Sequence, residues 1–137
     1  MSTQGRKLPD VTVGDDLPPL PISITTSLVV GGALASRDFT SVHHDRSAAQ
    51  AAGLQDVFMN ILTTNGLVGR YVTDWAGPDA VVRKLAIKLG TPNLPGDTMT
   101  FTGKVASVED DQVTVEVVGK NSWGNHVTGS VLVALPR

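Results

Sequence analysis

Val57-Phe58-Met59-Asn60-Ile61-Leu62-Thr63-Thr64-Asn65-Gly66-Leu67-Val68-Gly69-Arg70-Tyr71-Val72-Thr73-Asp74-Trp75 is the stretch on which the fold turns. Phe58, Ile61, Leu62, Asn65, Val68, Gly69, Val72 and Ala76 recur at steps of three and four, which places them on one face of a helix from about Val57 to Trp75. Gly66 and Gly69 would each cost ~1 kcal/mol in an exposed helix. The expected compensation is close approach to another backbone, so this helix is read as buried against a sheet.

Past Gly77-Pro78 the hydrophobic period drops from near 3.6 to two and stays there. Val81, Leu85, Ile87 and Leu89 alternate with Val82, Lys84, Ala86 and Lys88, with Arg83 falling on the apolar parity. Thr91 to Asp97 reads as a turn, after which Met99, Phe101, Gly103 and Val105 alternate with Thr98, Thr100, Thr102 and Lys104. A hairpin at Glu109-Asp110-Asp111 leads to Val113, Val115 and Val117. A second, around Gly119 to Asn125, leads to Val127, Gly129, Val131, Val133 and Leu135. Four strands joined by hairpins make an antiparallel sheet with one buried face.

Upstream of the helix, Ile22 to Val30 is rich in β-branched residues between Pro21 and Gly31-Gly32, and reads as the first strand. Ser47 to Gly53 reads as a short Ala-rich helix with Ser47 as a candidate cap. Residues before Pro21, with Pro9, Pro18 and Pro19, read as an extended arm, and residues 1–12 are set apart as flexible from a single domain over 13–137. A helix of roughly 18 residues spans ~27 Å and strands of 8 to 10 residues span ~26 to 33 Å. The lengths match, and one helix wrapped by a five-stranded antiparallel sheet is the hotdog arrangement, of class α+β. Open sheet edges, and apolar surface that one helix cannot cover, imply pairing with a second such domain.

Composition narrows the function. At 137 residues the chain supports one core. It has no Cys, so thiolate metal sites and disulfides are excluded. A net charge of −2 without a basic run, and 4% aromatic residues, argue against nucleic acid and anionic membrane partners. No stretch approaches the ~20 apolar residues of a membrane span, and the N-terminus lacks an apolar signal core, so a soluble cytoplasmic protein is expected.

The polar chemistry is concentrated in Arg37-Asp38-Phe39-Thr40-Ser41-Val42-His43-His44-Asp45, in a chain with 3 His. Asp38 and His43 are a candidate acid/base pair; the plainer alternative is an Asp capping a turn and histidines at a wet surface. Asp38, Val42, His43 and Asp45 match the signature Asp-x-Asn-Pro-(Ile/Leu)-His-x-Asp, and Leu94-Pro95-Gly96-Asp97-Thr98-Met99 resembles a later Pro-x-x-x-Gly-Asp turn. On these motifs the chain, from about Val13 onward, resembles the MaoC-like (R)-specific enoyl-CoA hydratases. Two departures stand out. Thr40-Ser41 replaces Asn-Pro, and Met59-Asn60-Ile61 replaces His-Gly-Met at the start of the central helix. With Asp56 to Thr63 and Arg70 to Pro78, they resemble a narrower group, the small MaoC-like subunits of actinobacterial steroid (cholesterol) side-chain enoyl-CoA hydratases.

The resemblance implies hydration of a 2-enoyl-CoA to a 3-hydroxyacyl-CoA with a bulky steroid acyl group. This chain would act as the catalytic small subunit beside a second MaoC-like subunit, in a heterodimer or heterotetramer, a homodimer being the simpler alternative. No cofactor is implied, because coenzyme A belongs to the acyl-CoA substrate. Asp38 and His43 would hold one water, and the backbone N–H of Asn60 would face the thioester oxygen at the helix start. A cap at Asp56 would instead use that N–H inside the helix. Other readings stay open. A hotdog thioesterase would send water to the carbonyl carbon, and a scaffold subunit would only complete a partner's tunnel. A metal on His43, His44 and Asp45 lacks a fourth ligand cluster, so none is expected. His126 reads as a surface hairpin residue, Trp75 and Trp123 as packing or interface residues, with Trp75 lining the acyl site as the alternative, and Arg70 and Asp74 as a pair along the helix. Arg83, Lys84 and Lys88 are the candidates for coenzyme A phosphates.

Overall fold

In the computed structural model, which describes residues 5–137, the chain runs β1 (Asp16–Ser23), α1 (Thr26–Ala35), α2 (Arg46–Ala51), α3 (Ile61–Ala76), β2 (Val81–Leu89), β3 (Thr98–Glu109), β4 (Gln112–Asn121) and β5 (Gly124–Ala134). The strands form one antiparallel sheet in the order β1-β3-β4-β5-β2. The period-two stretch supplies four of them, and the sheet curls around α3. Inward residues Phe101, Val105, Val113, Val115, Val117, Val131 and Val133 meet Val68, Tyr71, Val72 and Trp75 in the core. Tyr71 stacks on Phe101 with ring centroids 5.1 Å apart. This is the five-stranded α+β hotdog expected from the period change.

The first strand is not where its β-branched run suggests. β1 is the Pro-rich Asp16–Ser23, and Thr26–Ala35 is helical. The register of β1 on β3 shifts between Leu17 and Leu20, so Pro18 and Pro19 sit in an irregularity on an edge strand, where a missing N–H breaks no ladder bond. Thr25 caps α1, its hydroxyl oxygen accepting from the N–H of Leu28 at 3.0 Å. Val29 and Ala33, one turn apart, are fully buried. Burial of that stripe outweighs the β preference of the Thr and Val residues.

The central helix starts later than its apolar pattern implies, at Ile61, and its buried stripe is Thr64, Val68, Tyr71, Val72, Trp75 and Ala76. Ile61 and Leu62 are exposed. Neither Gly66 nor Gly69 makes the expected close backbone approach: a Cβ on Gly66 would meet nothing within 4 Å, and one on Gly69 only a Leu85 methyl at 3.7 Å. The tight glycine is Gly32 of α1, where a Cβ would overlap the side chain of Thr63. Arg83, the residue on the wrong parity, lies at a register shift of β2 against β5, which lets a charged side chain interrupt the alternation.

Of the arm expected over residues 1–12, residues 1–4 lie outside the described ones. Beyond them, the N–H of Arg6 donates to Ala76 and that of Leu8 to Pro136. The Arg6 guanidinium lies 4.9 Å from the Trp75 ring centroid. Among the described residues, no helix is long and apolar enough to cross a membrane.

Candidate active site

Three chain segments converge at the N-terminal end of α3. The first leaves α1: the Ser36 hydroxyl donates back to the carbonyls of Gly32 and Ala33 at 2.7 and 3.1 Å. Arg37 turns the chain with φ 58. The N–H of Asp38 then donates to Ala33 at 2.9 Å. The second segment is a 3-10 turn, Ser41–His43, that delivers a buried His43. The third, Val57 to Asn60, is pinned on both sides, by Phe58 N–H to Val42 (3.3 Å) and Met59 N–H to Asn93 (3.1 Å).

Asp38 and His43 meet, Oδ2 to Nε2, at 3.4 Å. Nδ1 of His43 lies 2.6 Å from the Phe58 carbonyl, which can only accept, so Nδ1 carries the proton of the neutral ring. Nε2 therefore presents a lone pair to a carboxylate oxygen. Both atoms are acceptors, so a water molecule lying beside them can direct its hydrogens to the pair. The Phe58 ring packs on the imidazole at 4.7 Å and 74°, which limits its rotation.

The carboxylate is heavily bonded. Oδ1 accepts from the Thr40 hydroxyl at 2.6 Å and from the Thr40 N–H at 3.2 Å, and Oδ2 accepts from the Asn60 amide at 3.1 Å. The Thr40 hydroxyl first, then the Asn60 amide, hold the Asp38 carboxyl well below the ordinary range, at about 2. It is a permanent anion at neutral pH.

Asn60 is the N-cap of α3, its Oδ1 accepting from the Thr63 N–H at 3.1 Å. Asp56 does not cap the helix; its carboxylate accepts from the N–H of Val57 at 2.8 Å instead. The N–H of Asn60 thus stays outside the helical ladder and has no acceptor among the described residues. It sits at the positive end of the helix dipole.

His44 turns away, its Nε2 3.1 Å from the Phe39 carbonyl, and Asp45 caps α2 through the N–H groups of Ser47 and Ala48. Asp45, not Ser47, is the cap of that helix, and the His43, His44 and Asp45 side chains do not converge.

His126 corrects the surface reading. It is 2% exposed, with Nδ1 2.7 Å from the Thr91 carbonyl and Nε2 2.8 Å from the Thr64 hydroxyl. It ties the first turn of α3 to β5. Burial lowers its pKa and keeps it neutral. Asn121 and Asn93 form a second buried tie, with the Asn121 amide donating to Asn93 Oδ1 at 2.9 Å and to the Pro92 carbonyl at 3.0 Å. Sequence reasoning missed both. For Asn121 the available signal was a polar residue on the apolar parity, continuing the inward register of Val113, Val115 and Val117; His126 falls off the parity of Val127, Val131 and Val133 and carried no such signal.

Trp75 is buried, Trp123 is exposed, and Arg70 and Asp74 pair at 3.4 Å. Arg83, Lys84 and Lys88 are all exposed on β2, an outer strand of the sheet. A cavity of about 280 Å³ lies between β1 and the last turns of α3, and Asp38, His43 and Asn60 are not in its wall. The apolar side chains of Leu34, Phe39, Ile61 and Leu62, on the segments that lead into Asp38 and out of Asn60, are exposed.

A family model described as the MaoC like domain matches residues 11–134. The chain is 50% identical over 123 residues to the 3-oxo-4,17-pregnadiene-20-carboxyl-CoA hydratase beta subunit of Mycobacterium tuberculosis, covering 90% of this chain and 95% of that protein. Among solved structures, it matches a chain of the ChsH1-ChsH2 complex from Mycobacterium tuberculosis with TM-score 0.89 and 49% identity, over 90% of this chain and 98% of that one. It also matches the unliganded R-hydratase PhaJ1 from Pseudomonas aeruginosa with TM-score 0.88 and 18% identity, over 97% of this chain and 87% of that one, a likeness of fold.

Proposed function

This chain belongs to the MaoC-like domain family, and from that premise we propose that it hydrates a 2-enoyl-CoA thioester to a 3-hydroxyacyl-CoA, with Asp38 and His43 as the catalytic pair. The observation that carries the reading is the pair of lone pairs facing one another across 3.4 Å, one on ionised Asp38 and one on Nε2 of His43, beside the unused N–H of Asn60. Asp38 and His43 each hold one hydrogen of a water. As its oxygen bonds to C3, the electron pair of the C2–C3 double bond moves onto the thioester oxygen. The Asn60 N–H stabilises that oxygen. A proton then passes through the pair to C2 on the same face and the carbonyl re-forms. Atoms and charge balance with water as the only co-reactant.

The substrate class comes from the relative, which is named for 3-oxo-4,17-pregnadiene-20-carboxyl-CoA; by likeness, the acyl group here is a steroid side chain. Partner assembly follows similarly. The matched chain was solved within a two-component complex, and here outer strand β2 exposes Val81, Val82 and Leu89 while Leu34, Phe39, Ile61 and Leu62, on the segments flanking Asp38 and Asn60, stay uncovered. A second MaoC-like subunit would cover this apolar surface and complete the acyl tunnel. Arg83, Lys84 and Lys88 remain the cations offered to coenzyme A phosphates.

The test is to co-express the chain with a MaoC-like partner, purify the complex and give it a steroid side-chain enoyl-CoA. Loss of the enoyl thioester with gain of the 3-hydroxy thioester is the expected result. Release of free coenzyme A without a hydrated thioester would assign the site to thioester hydrolysis instead.

A further inference from the structure

We propose that the Asn60 side chain is a positioning residue that locks the Asp38 carboxylate and the start of α3 into one unit, so that the water-holding pair and the oxyanion donor keep a single register. This deepens the hydratase reading and rests on it for its catalytic consequence.

Each polar atom of the amide is used. Nδ2 donates to Asp38 Oδ2 at 3.1 Å and to the Ser36 hydroxyl at 3.0 Å, and Oδ1 accepts from the Thr63 N–H at 3.1 Å and the Thr63 hydroxyl at 2.5 Å. Ser36 is itself anchored to the Gly32 carbonyl of α1. Asn60 is 2% exposed and reaches partners that keep part of their surface in water, so the amide holds the carboxylate from its buried side. The oxygen it holds, Oδ2, is the one that faces His43. The same residue supplies the free N–H. An amide that fixes the carboxylate from the residue carrying the donor makes the distance between the two nearly independent of loop motion. With glycine, that register would depend on the Asp38 loop alone. The Asn60 bond is also second only to the Thr40 hydroxyl in keeping Asp38 ionised.

Asn60→Ser separates this role from capping. Serine caps a helix as well as asparagine and retains the backbone N–H, but its hydroxyl is too short to reach both Thr63 and Asp38. Asn60→Gly, still a tolerated cap, is the second variant should serine misfold. In the reconstituted complex, both are expected to lower kcat by roughly 10-fold or more with little change in KM, since the loss is of alignment and not of substrate contact. A carboxyl-carbon NMR titration of Asp38, with no substrate present, reads the same bond directly: its midpoint rises in both variants. Unchanged kcat and an unchanged titration would overturn the proposal. If the wild-type complex hydrates nothing, the hydratase reading fails, and the titration alone still decides whether Asn60 holds the carboxylate.

Discussion

Gly32 and Thr63 meet so closely that a methyl group on Gly32 would overlap the Thr63 side chain. The contact docks α1 on the first turn of α3, and it lies one hydrogen bond from the candidate site, because the Thr63 hydroxyl also reaches Asn60. Thr63 cannot rotate away without breaking that link. Gly32→Ala is therefore expected to destabilise by about 1–3 kcal/mol from overpacking, partly offset by the ~1 kcal/mol that alanine gains over glycine in a helix, and to reduce turnover. Gly31→Ala, with open space around its Cβ, is the control and should be neutral or mildly stabilising. Thermal denaturation and hydration assays of the two variants check this; equal melting temperatures would show that the helices dock elsewhere.

Removing either member of the proposed catalytic pair should be far more costly to activity than to folding. Asp38→Asn and His43→Ala are each expected to lower kcat/KM at least ~10²-fold, whereas His44→Ala, which turns out to solvent, should leave it near wild type. Full turnover by Asp38→Asn in the complex would move the chemistry to the partner and leave this chain a scaffold.

His126 links stability to pH. Unfolded, its imidazole takes a proton near the ordinary 6.5, while burial holds the folded value lower. Between those values the unfolded chain binds more protons, so the contribution of neutral His126 is complete above about 6.5 and is lost as pH falls through the folded pKa. Melting temperatures measured downward from pH 7.5 should fall more steeply for the wild type than for His126→Asn. Parallel curves would mean that His126 does not sense the proton.

Asp38 acts lower on the scale. Its carboxyl is held at about 2 against an ordinary 3.8, so its stabilising contribution is present above about 3.8 and disappears as pH falls through 2. The stability difference between wild type and Asp38→Asn should be flat across neutral pH and narrow only below about pH 4. Acid denaturation of both chains tests this, and a difference that closes by pH 6 would contradict the hydrogen bonds drawn for the carboxylate.

The exposed apolar residues of β2 predict a mode of assembly. Val82→Lys places a charge on an outer strand, a common way to block strand pairing. The variant should fold, yet co-purify poorly with its partner on size exclusion. Undiminished recovery would put the interface on another face.

The strands β2 to β5 were readable because a period-two pattern is local: each inward residue declares itself beside its outward neighbours. Asp38 and His43 were readable for a similar reason, lying on one short loop with a recognisable spacing. The exchange of strand and helix between Asp16–Ser23 and Thr26–Ala35 was not readable. Prolines suit an edge strand only once the edge exists, and a β-branched run turns helical only when another helix offers its Val29–Ala33 stripe a surface. Nor could spacing reveal that His126 and Thr64, or Asn60 and Asp38, complete one another's hydrogen bonds. A buried polar group is tolerable only if its partner arrives from elsewhere in the chain, and that arrival is a property of the folded core alone.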